Sequence, residues 1–479
     1  MENNNLSGKK YDAVVVGSGP NGFAAAITLA KSGHSVLMLE ANNTVGGGMR
    51  SSDLTYSGCI HDVCSVVHPL GIASPFFNSL GLASYGLEWI NQHVPLAHPF
   101  DDGNVVLLER SLNTTIKNLG ADGRAYGKLM IPLVDNWDKL LPDILAPLHF
   151  PKHPLALSWF GFIAGQSAAY MIFKNFRTKQ AKVLFAGIAA HSIMPLDKAG
   201  SAAFGLLLGT AGHAGGWPIA KRGSQSIATA LQKCFLALGG EIKTGVEVSS
   251  LEQLPKSKLV LLDITLKQLA GITGTYLPKK QKQQLAQHRY GSGVFKMDWV
   301  LDGPIPWKSA DCLRAVTVHV GGSFEDIAWV EDEAWNGRHP ENPFVLLAQP
   351  SLFDTTRTPA GKHTVWAYCH VPFGSTFDMS ERIESQIERF APGFHDRIVS
   401  RIKMNTAAME ADNPNYIGGD IAGGAVVPIS LFFRPMGRWK PYVTPIKGVY
   451  VCSSSMPPGA GVHGMCGYHA AKKAIREMF

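Results

Sequence analysis

The stretch "YDAVVVGSGPNGFAAAITLAKSGHSVLMLEA", Tyr11–Ala41, decides the fold. Ala13 to Val16 are apolar without a break, as in a strand covered on both faces of a parallel sheet. Gly17, Gly19 and Gly22 follow as G-x-G-x-x-G. From Gly22 to about Ser32 the small residues Ala24, Ala25, Ala26 and Ala30 suit a helix packed closely on that sheet. Gly33 ends the helix, and "SVLMLE" forms a second strand closed by Glu40. Glycines at the first turn let the backbone approach a diphosphate, which then sits on the positive end of the helix. Glu40 is placed to accept hydrogen bonds from ribose hydroxyls, and its charge would repel a 2′-phosphate. The expected dinucleotide contacts are therefore Gly17, Ser18, Gly19, Pro20, Asn21 and Gly22 at the diphosphate, with Glu40 and Ala41 at the ribose.

"TVGGGMRSS" follows closely, and its glycines again permit backbone approach while Arg50 offers a rigid charged fork to phosphate. A second glycine-rich element so soon after the first is usual for flavin enzymes and unusual for nicotinamide enzymes. FAD is the expected cofactor, with Gly47, Gly48, Met49 and Arg50 beside it. The other G-x-G-x-x-G, at Gly459, Gly461 and Gly464, has too little chain after it to found a second βαβ unit. "GTAGHAGG", Gly209 to Gly216, has the wrong spacing. No separate pyridine-nucleotide site is expected.

A chain of 479 residues exceeds one ordinary core, so two domains, or two interleaved ones, are expected. The formal net charge of +7 comes without a long Lys/Arg run or basic–aromatic interleaving, which argues against nucleic acid. It suits an anionic cofactor or an anionic membrane face. Seven scattered cysteines form no C-x-x-C pair, so a disulfide framework, redox dithiol or zinc ribbon is not expected. No metal-ligand spacing and no Ser/His/Asp constellation stands out. "MENNNLSGKKYD" reads as neither a signal nor an Arg-rich transit peptide, so a cytoplasmic location is expected, mitochondrial for a eukaryotic source. Pro154 to Phe173 carries no charge and is flanked by Lys152, Lys174, Arg177 and Lys179. It reads first as a buried or substrate-channel helix, next as a helix dipping into a membrane surface, and last as a span.

The middle stretch "GWPIAKRGSQSIATALQKCFLALGGEIKTGVEVSSLEQ" reads as a helix ended by Gly-Gly and followed by the strand "EIKTGVEV"; "KLVLLDI" is another buried strand. The chain closes with "GVYVCSSSMPPGAGVHGMCGYHAA". These pieces, with the first, resemble the phytoene desaturase-type (carotenoid/retinoid) FAD oxidoreductases. "RYGSGVFKMDWVLDGPIPW", "FVLLAQPSLFD", "HTVWAYCHVPFGS" and "NPNYIGGDIAGG" resemble in particular the branch of pyridine nucleotide-disulphide oxidoreductase domain-containing protein 2.

The resemblance implies an α/β fold: a Rossmann-like, glutathione reductase-type FAD domain with an interleaved α+β substrate domain. The FAD domain would come from 1–90, 215–270 and 425–479. The substrate domain would come from 91–214, mostly helical, and 271–424, with an antiparallel sheet over the flavin. It also implies that Ser453, Ser454 and Ser455 lie near the diphosphate and ribityl chain. Gly461, Val462 and His463 would present N–H groups to the flavin ring, and Val248 would contact adenine. Carotenoid desaturases usually carry proline where this chain has His463, which bears on the substrate and leaves the cofactor expectation unchanged.

A flavin that takes hydride at N5 asks little of side chains beyond orientation. Three catalytic candidates remain: Lys296, His463 and His61, with His68 behind them. In "GVFKMDWVLD" the residues Val294, Lys296 and Asp298 share one strand face, and related amine oxidases use a lysine on such a strand near N5. His463 at the loop tip could give or take a proton, and His61 follows the glycine–arginine loop. The expected activity is desaturation or dehydrogenation of a small, largely apolar substrate, with oxygen or a quinone reoxidising the flavin. A flavin amine oxidase and a low-turnover flavoprotein scaffold are the alternatives.

Overall fold

The computed structural model describes residues 9–425 and 441–479. Five parallel strands form one sheet: β1 (Tyr11–Val16), β2 (Val36–Leu39), β3 (Glu241–Lys243), β4 (Ser257–Leu262) and β5 (Val449–Val451). Their order is β5-β4-β1-β2-β3, so β1 lies between β4 and β2 although β4 comes far later in the chain. Every residue of β2 is buried, as its unbroken apolar run requires. Helix α1 (Pro20–Lys31) begins two residues before the expected Gly22, because proline fits the first turn, where its missing N–H is not needed. Gly33 leaves the helix at φ +85°, a conformation that favours glycine.

"EIKTGVEV" does not stay a strand. Pairing ends at Lys243, and Gly245 at φ +68° turns the chain so that Val246 N–H donates to the Glu40 carbonyl. The alternation is real, but past Lys243 the backbone bonds to the loop after β2 instead of to its continuation.

The second sheet has seven strands, in the order Ile398–Met404, Gly293–Leu301, His363–Val371, Val345–Ala348, Ala315–Val320, Val94–Pro99 and Val105–Leu108. All pairs are antiparallel except Val94–Pro99 with Ala315–Val320, so the strands of 271–424 pair antiparallel among themselves and the parallel pair joins them to a strand of the 91–214 segment. The 91–214 segment thus gives two strands as well as its helices. The Gly293–Leu301 strand is buried along its whole length. Phe295, Met297 and Trp299 join one apolar cluster with Ile383 and Phe390 of the 380–390 helix, which leaves Lys296 and Asp298 on the other face. The first sheet draws on 11–39, 241–262 and 449–451 and the second on 94–108 and 293–404; residues 1–8 and 426–440, within the expected 1–90 and 425–479 segments, lie outside the described residues.

The uncharged segment 154–173 is two helices, α2 (Pro154–Ala164) and α3 (Ala168–Asn175), bent by 95°. The bend falls where Gly165 ends α2 and the Ser167 hydroxyl accepts from Tyr170 N–H to start α3. Only Ala164 of α2 is buried, and Leu155 and Phe162 are 87% and 73% exposed, so a buried helix is not what forms. Among the described residues no single helix is long and apolar enough to cross a membrane.

Helix α4 (Met465–Met478) lies directly on α1. A Cβ placed on Gly467 would sit 1.8 Å from the Asn21 carbonyl oxygen, so the two backbones touch. The Ser74 hydroxyl donates to the His463 carbonyl at 2.6 Å and fixes the turn before α4. Gly467→Ala is expected to cost about 1–3 kcal/mol, as overpacking does, and to lower the melting temperature. Gly271→Ala, whose Cβ meets nothing within 4 Å, should be neutral or stabilise by about 0.5–1 kcal/mol. Equal melting of wild type and Gly467→Ala would show that the two helices do not depend on this contact.

Candidate active site

A cavity of about 1110 Å³ opens beyond the carboxyl ends of β1, β2 and β4, where ligands of open α/β sheets bind. Gly17, Ser18, Gly19, Pro20 and Asn21 line it after β1, Glu40 and Ala41 after β2, and Gly47 and Gly48 beside them. Val248, Ser454, Gly461, Val462 and His463 line it from the later parts of the chain. An apolar wing continues from this cradle, with Leu145, Leu157, Phe160, Ala164, Phe204 and Leu207 in its walls. The inner side of α2 therefore lines this wing of the cavity.

Sterics explain the glycines. A Cβ on Gly22 would lie 2.1 Å from the Gly17 carbonyl oxygen, and one on Gly47 would lie 3.0 Å from the Gly19 Cα. The two glycine-rich elements touch, which is why the second follows the first so closely in sequence. Glu40 ties them: one carboxylate oxygen accepts from Ser18 N–H at 2.9 Å and from the Ser18 hydroxyl, the other from Asn42 N–H at 2.9 Å. Gly46 N–H then donates to Ser18 Oγ at 3.1 Å. Glu40 lines the cavity, and it also organises the loop that was expected only to receive its ligand.

Five expected contacts, Gly22, Met49, Arg50, Ser453 and Ser455, do not reach the lining. Gly22 is spent on the turn, its N–H donating to Asp263 at 2.8 Å. Met49 is core. Arg50 donates to the Gly47 carbonyl and the Asp412 carbonyl, each at 3.1 Å, and pairs with the Asp412 carboxylate, so its fork holds a loop rather than facing phosphate. Ser455 Oγ donates to the Gly423 carbonyl at 2.7 Å and faces away, while Ser454 faces in.

The catalytic candidates separate. His463 lines the cavity, but its Nδ1 accepts from Met465 N–H at 3.0 Å and caps α4, and burial pushes the ring down to about 4. A ring that is neutral at pH 7 with Nδ1 committed to a cap does not supply an acid there. His68 also lines the cavity, bonded through Nε2 to Ser224 Oγ at 2.8 Å and held down to about 4 by burial. His61 lies outside the lining, bonded through Nε2 to Thr55 Oγ1 at 2.8 Å. Lys296 is 1% exposed, pairs with Asp298, and lines a smaller cavity of about 150 Å³. Cys64, Ser65 and Tyr368 belong to the walls of both cavities. Lys296 is thus one wall behind the main cleft.

Four lining carboxylates were not anticipated: Asp143, Glu247, Asp263 and Asp412. Asp263 follows β4 and lies at the Gly17–Gly22 loop; burial, with Glu40 adding, pushes its carboxyl up to about 7. Its signal was present: it ends "KLVLLD", an apolar strand whose carboxyl end must meet the crevice if it pairs with β1. Asp143 lines the apolar wing; one oxygen is 2.8 Å from His149 Nε2, and the other has no hydrogen-bond partner among the described residues. Nothing in its surroundings, "KLLPDILAP", marks it. No group of three or more His, Cys, Asp or Glu side chains among the described residues is arranged to hold a metal ion.

Residues 15–77 match the model of the NAD(P)-binding Rossmann-like domain family. Over 98% of its length the chain is 23% identical to pyridine nucleotide-disulfide oxidoreductase domain-containing protein 2 of Rattus norvegicus, covering 94% of that protein. It is 22% identical to a limonene dehydrogenase component from Castellaniella defragrans, over 98% of this chain and 95% of that one. It is 24% identical to all-trans-zeta-carotene desaturase of Myxococcus xanthus, over 95% and 91% respectively. Among solved structures, an oxidoreductase from Methanosarcina mazei superposes with TM-score 0.66 at 15% identity, over 98% of this chain and all of that one. Cyclohexylamine oxidase from Brevibacterium oxydans does so with TM-score 0.61 at 13% identity, over 98% and 99%. At such identities the structures speak for the fold alone, a Rossmann-like domain joined to a second sheet. The sequence relatives match along nearly the whole chain, which is similar to the phytoene desaturase-type oxidoreductases.

Proposed function

We propose that the chain binds FAD in the glycine-lined part of the cleft and oxidises a small, largely apolar substrate held in the wing beside it. One observation carries this reading: a single cavity of about 1110 Å³ joins a dinucleotide cradle to an apolar chamber. The cradle fits the group, since Gly17 at φ +98° and Gly47 at φ +54° hold backbone where side chains would intrude. When bound, FAD supplies hydride acceptance at N5. The chain supplies the rest: N–H groups at the start of α1 for the diphosphate, the Gly459–His463 turn at the start of α4, and walls that exclude water. Segments 1–90, 215–270 and 425–479 would form the FAD domain and the two insertions the substrate domain. The name of one relative mentions pyridine nucleotide and disulfide, while the seven cysteines of this chain form no C-x-x-C pair.

A second reading is amine oxidation, favoured by Asp143, whose open carboxylate oxygen could hold an ammonium group in the wing. Anaerobic mixing of the yellow protein with substrate panels separates the two. Bleaching by unsaturated lipophiles is expected, and bleaching by amines, lost in Asp143→Asn, would replace that reading with the second. A colourless protein that takes up no FAD would end both.

The outer side of α2 carries Leu155 and Phe162, with exposed Phe150 before it and Lys152 and Lys174 around it. This face would rest on an anionic lipid surface while the inner face opens to the wing, giving a lipophile a dry route inward. Leu155→Glu with Phe162→Glu should abolish flotation with anionic vesicles and leave bound flavin unchanged. Flotation that survives both substitutions would remove the membrane from the account.

Asp263 would meet the diphosphate as a neutral acid. Its folded-state value of about 7 lies above the usual carboxylate value, so the folded chain holds a proton that the unfolded chain releases. Stability from this group is full below about pH 4 and is lost as pH rises toward 7, a change of about 4 kcal/mol at most. The FAD-free Asp263→Asn variant should show a shallower fall in urea stability between pH 5 and 8 than wild type. Parallel curves would show that Asp263 is ionised throughout.

A further inference from the structure

Two buried carboxylates near the cleft are in opposite states. Asp62 is fully bonded: Arg357 at 2.6 Å, Ser224 N–H at 2.7 Å and the Ser51 hydroxyl at 2.7 Å. Asp298 is 0% exposed; its Oδ2 pairs with the Lys296 ammonium, but its Oδ1 has no hydrogen-bond partner among the described residues. Oδ1 faces His61 Nδ1 at 3.5 Å, and that nitrogen is unpartnered there too. A buried polar atom left unpaired costs about 1–3 kcal/mol, so two such atoms facing each other favour closing the gap. On its other side the His61 ring bonds Thr55 Oγ1 at 2.8 Å, and Thr55 is half-buried beside exposed Tyr56 and Ser57. At the far end Lys296 lines the small cavity that shares Cys64, Ser65 and Tyr368 with the main cleft.

We propose that Thr55, His61, Asp298 and Lys296 form a proton line from the protein surface to the wall of the cleft. The inference rests on the oxidoreductase reading, in which protons must balance over a turnover. With a flavin bound, oxidation of the substrate would remove a hydride and leave a proton to be discharged. An acceptor of the dioxygen or quinone class then takes two electrons and two protons, leaving as peroxide or quinol. One of those protons comes with the stored hydride equivalent, and the other comes from solvent. One proton leaves and one enters per turnover, so the line itself ends unchanged. An imidazole between a hydroxyl and a carboxylate suits the task, since it can accept at one nitrogen and release at the other. Strand alternation puts Lys296 and Asp298 on one face, and the Ile60–Asp62 strand brings His61 to the pair. Asp62, saturated by Arg357, does not compete for the ring. Lys296 ends the line behind the wall that Cys64, Ser65 and Tyr368 form, and Asp298, His61 and Thr55 act through it.

The test needs no substrate. Holoprotein reduced with dithionite is mixed in a stopped-flow cell with oxygenated buffer, or with a short-chain quinone, in H2O and in D2O. Asp298→Asn and His61→Ala should slow reoxidation on the order of a hundredfold and raise the solvent isotope effect, and imidazole in the buffer should restore the His61→Ala rate. Thr55→Val, at a half-exposed position, should slow it several-fold and keeps the test open if the buried variants fail to fold. Independently of turnover, ¹⁵N-histidine NMR of the holoprotein should show one ring Nδ1 resonance that moves in Asp298→Asn and an Nε2 resonance of the same ring that moves in Thr55→Val. Unchanged reoxidation rates in the variants, or slowing without an isotope effect or imidazole rescue, overturn the line and leave the oxidoreductase reading in place. A wild type that neither binds FAD nor reoxidises overturns that reading instead, while the NMR arm still reports whether His61 and Asp298 are joined.

Discussion

The contact of Gly467 with the Asn21 carbonyl is the constraint on which the site depends. It brings α4, from the carboxyl end of the chain, against the first turn of α1 near the amino end. With any side chain at 467 the helices would stand farther apart and the Gly459–His463 turn would leave the cleft. Held close, the two helices direct their positive ends toward one cavity. The Ser74–His463 hydrogen bond then locks the intervening turn. One cleft with two helix N-termini has places for two separate centres of negative charge, which a diphosphate joined to an electron-accepting ring would supply.

The sequence made the backbone of this arrangement readable and hid the partners of its side chains. Glycine spacing at 17, 19 and 22 reports a steric demand, because only glycine tolerates the Gly17 carbonyl at 2.1 Å from a Cβ. Period-two alternation likewise puts Lys296 and Asp298 on one face from the residue order alone. Residue type cannot show whether a polar group is already occupied. Arg50 has the chemistry of a fork for phosphate, yet its Nε and Nη2 are taken by Gly47 and Asp412. His463 has the chemistry of a proton donor, yet its Nδ1 is held by a helix cap. The Arg50 commitment is made by a residue hundreds of positions away, and no local pattern carries it. The bend between α2 and α3 shows a related limit: a long uncharged run sets a length, and Gly165 with the Ser167 cap breaks it into two directions.

Electrostatics in the cleft follow from the same bonding. Glu40 and Asp263 both stand where an anionic diphosphate would come, which is adverse by formal charge. Glu40 is screened by two N–H donors and a hydroxyl, and Asp263 carries its proton up to about pH 7. The cradle is thus less negative than its composition, and the N–H groups at the start of α1 decide its sign.

The histidines extend this reasoning to the rest of the cavity. His68 and His463 are pushed down to about 4 by burial, and His191 to about 3 by burial and the neighbouring His370. At neutral pH these rings add no charge to the cleft. None of these three rings is poised to trade protons at neutral pH; of the other lining groups, Asp263 stands at the glycine cradle and His149 is bonded to Asp143. His61 is the histidine placed for proton exchange, excluded from the lining but bonded toward the surface on one side and facing a carboxylate with an open oxygen on the other.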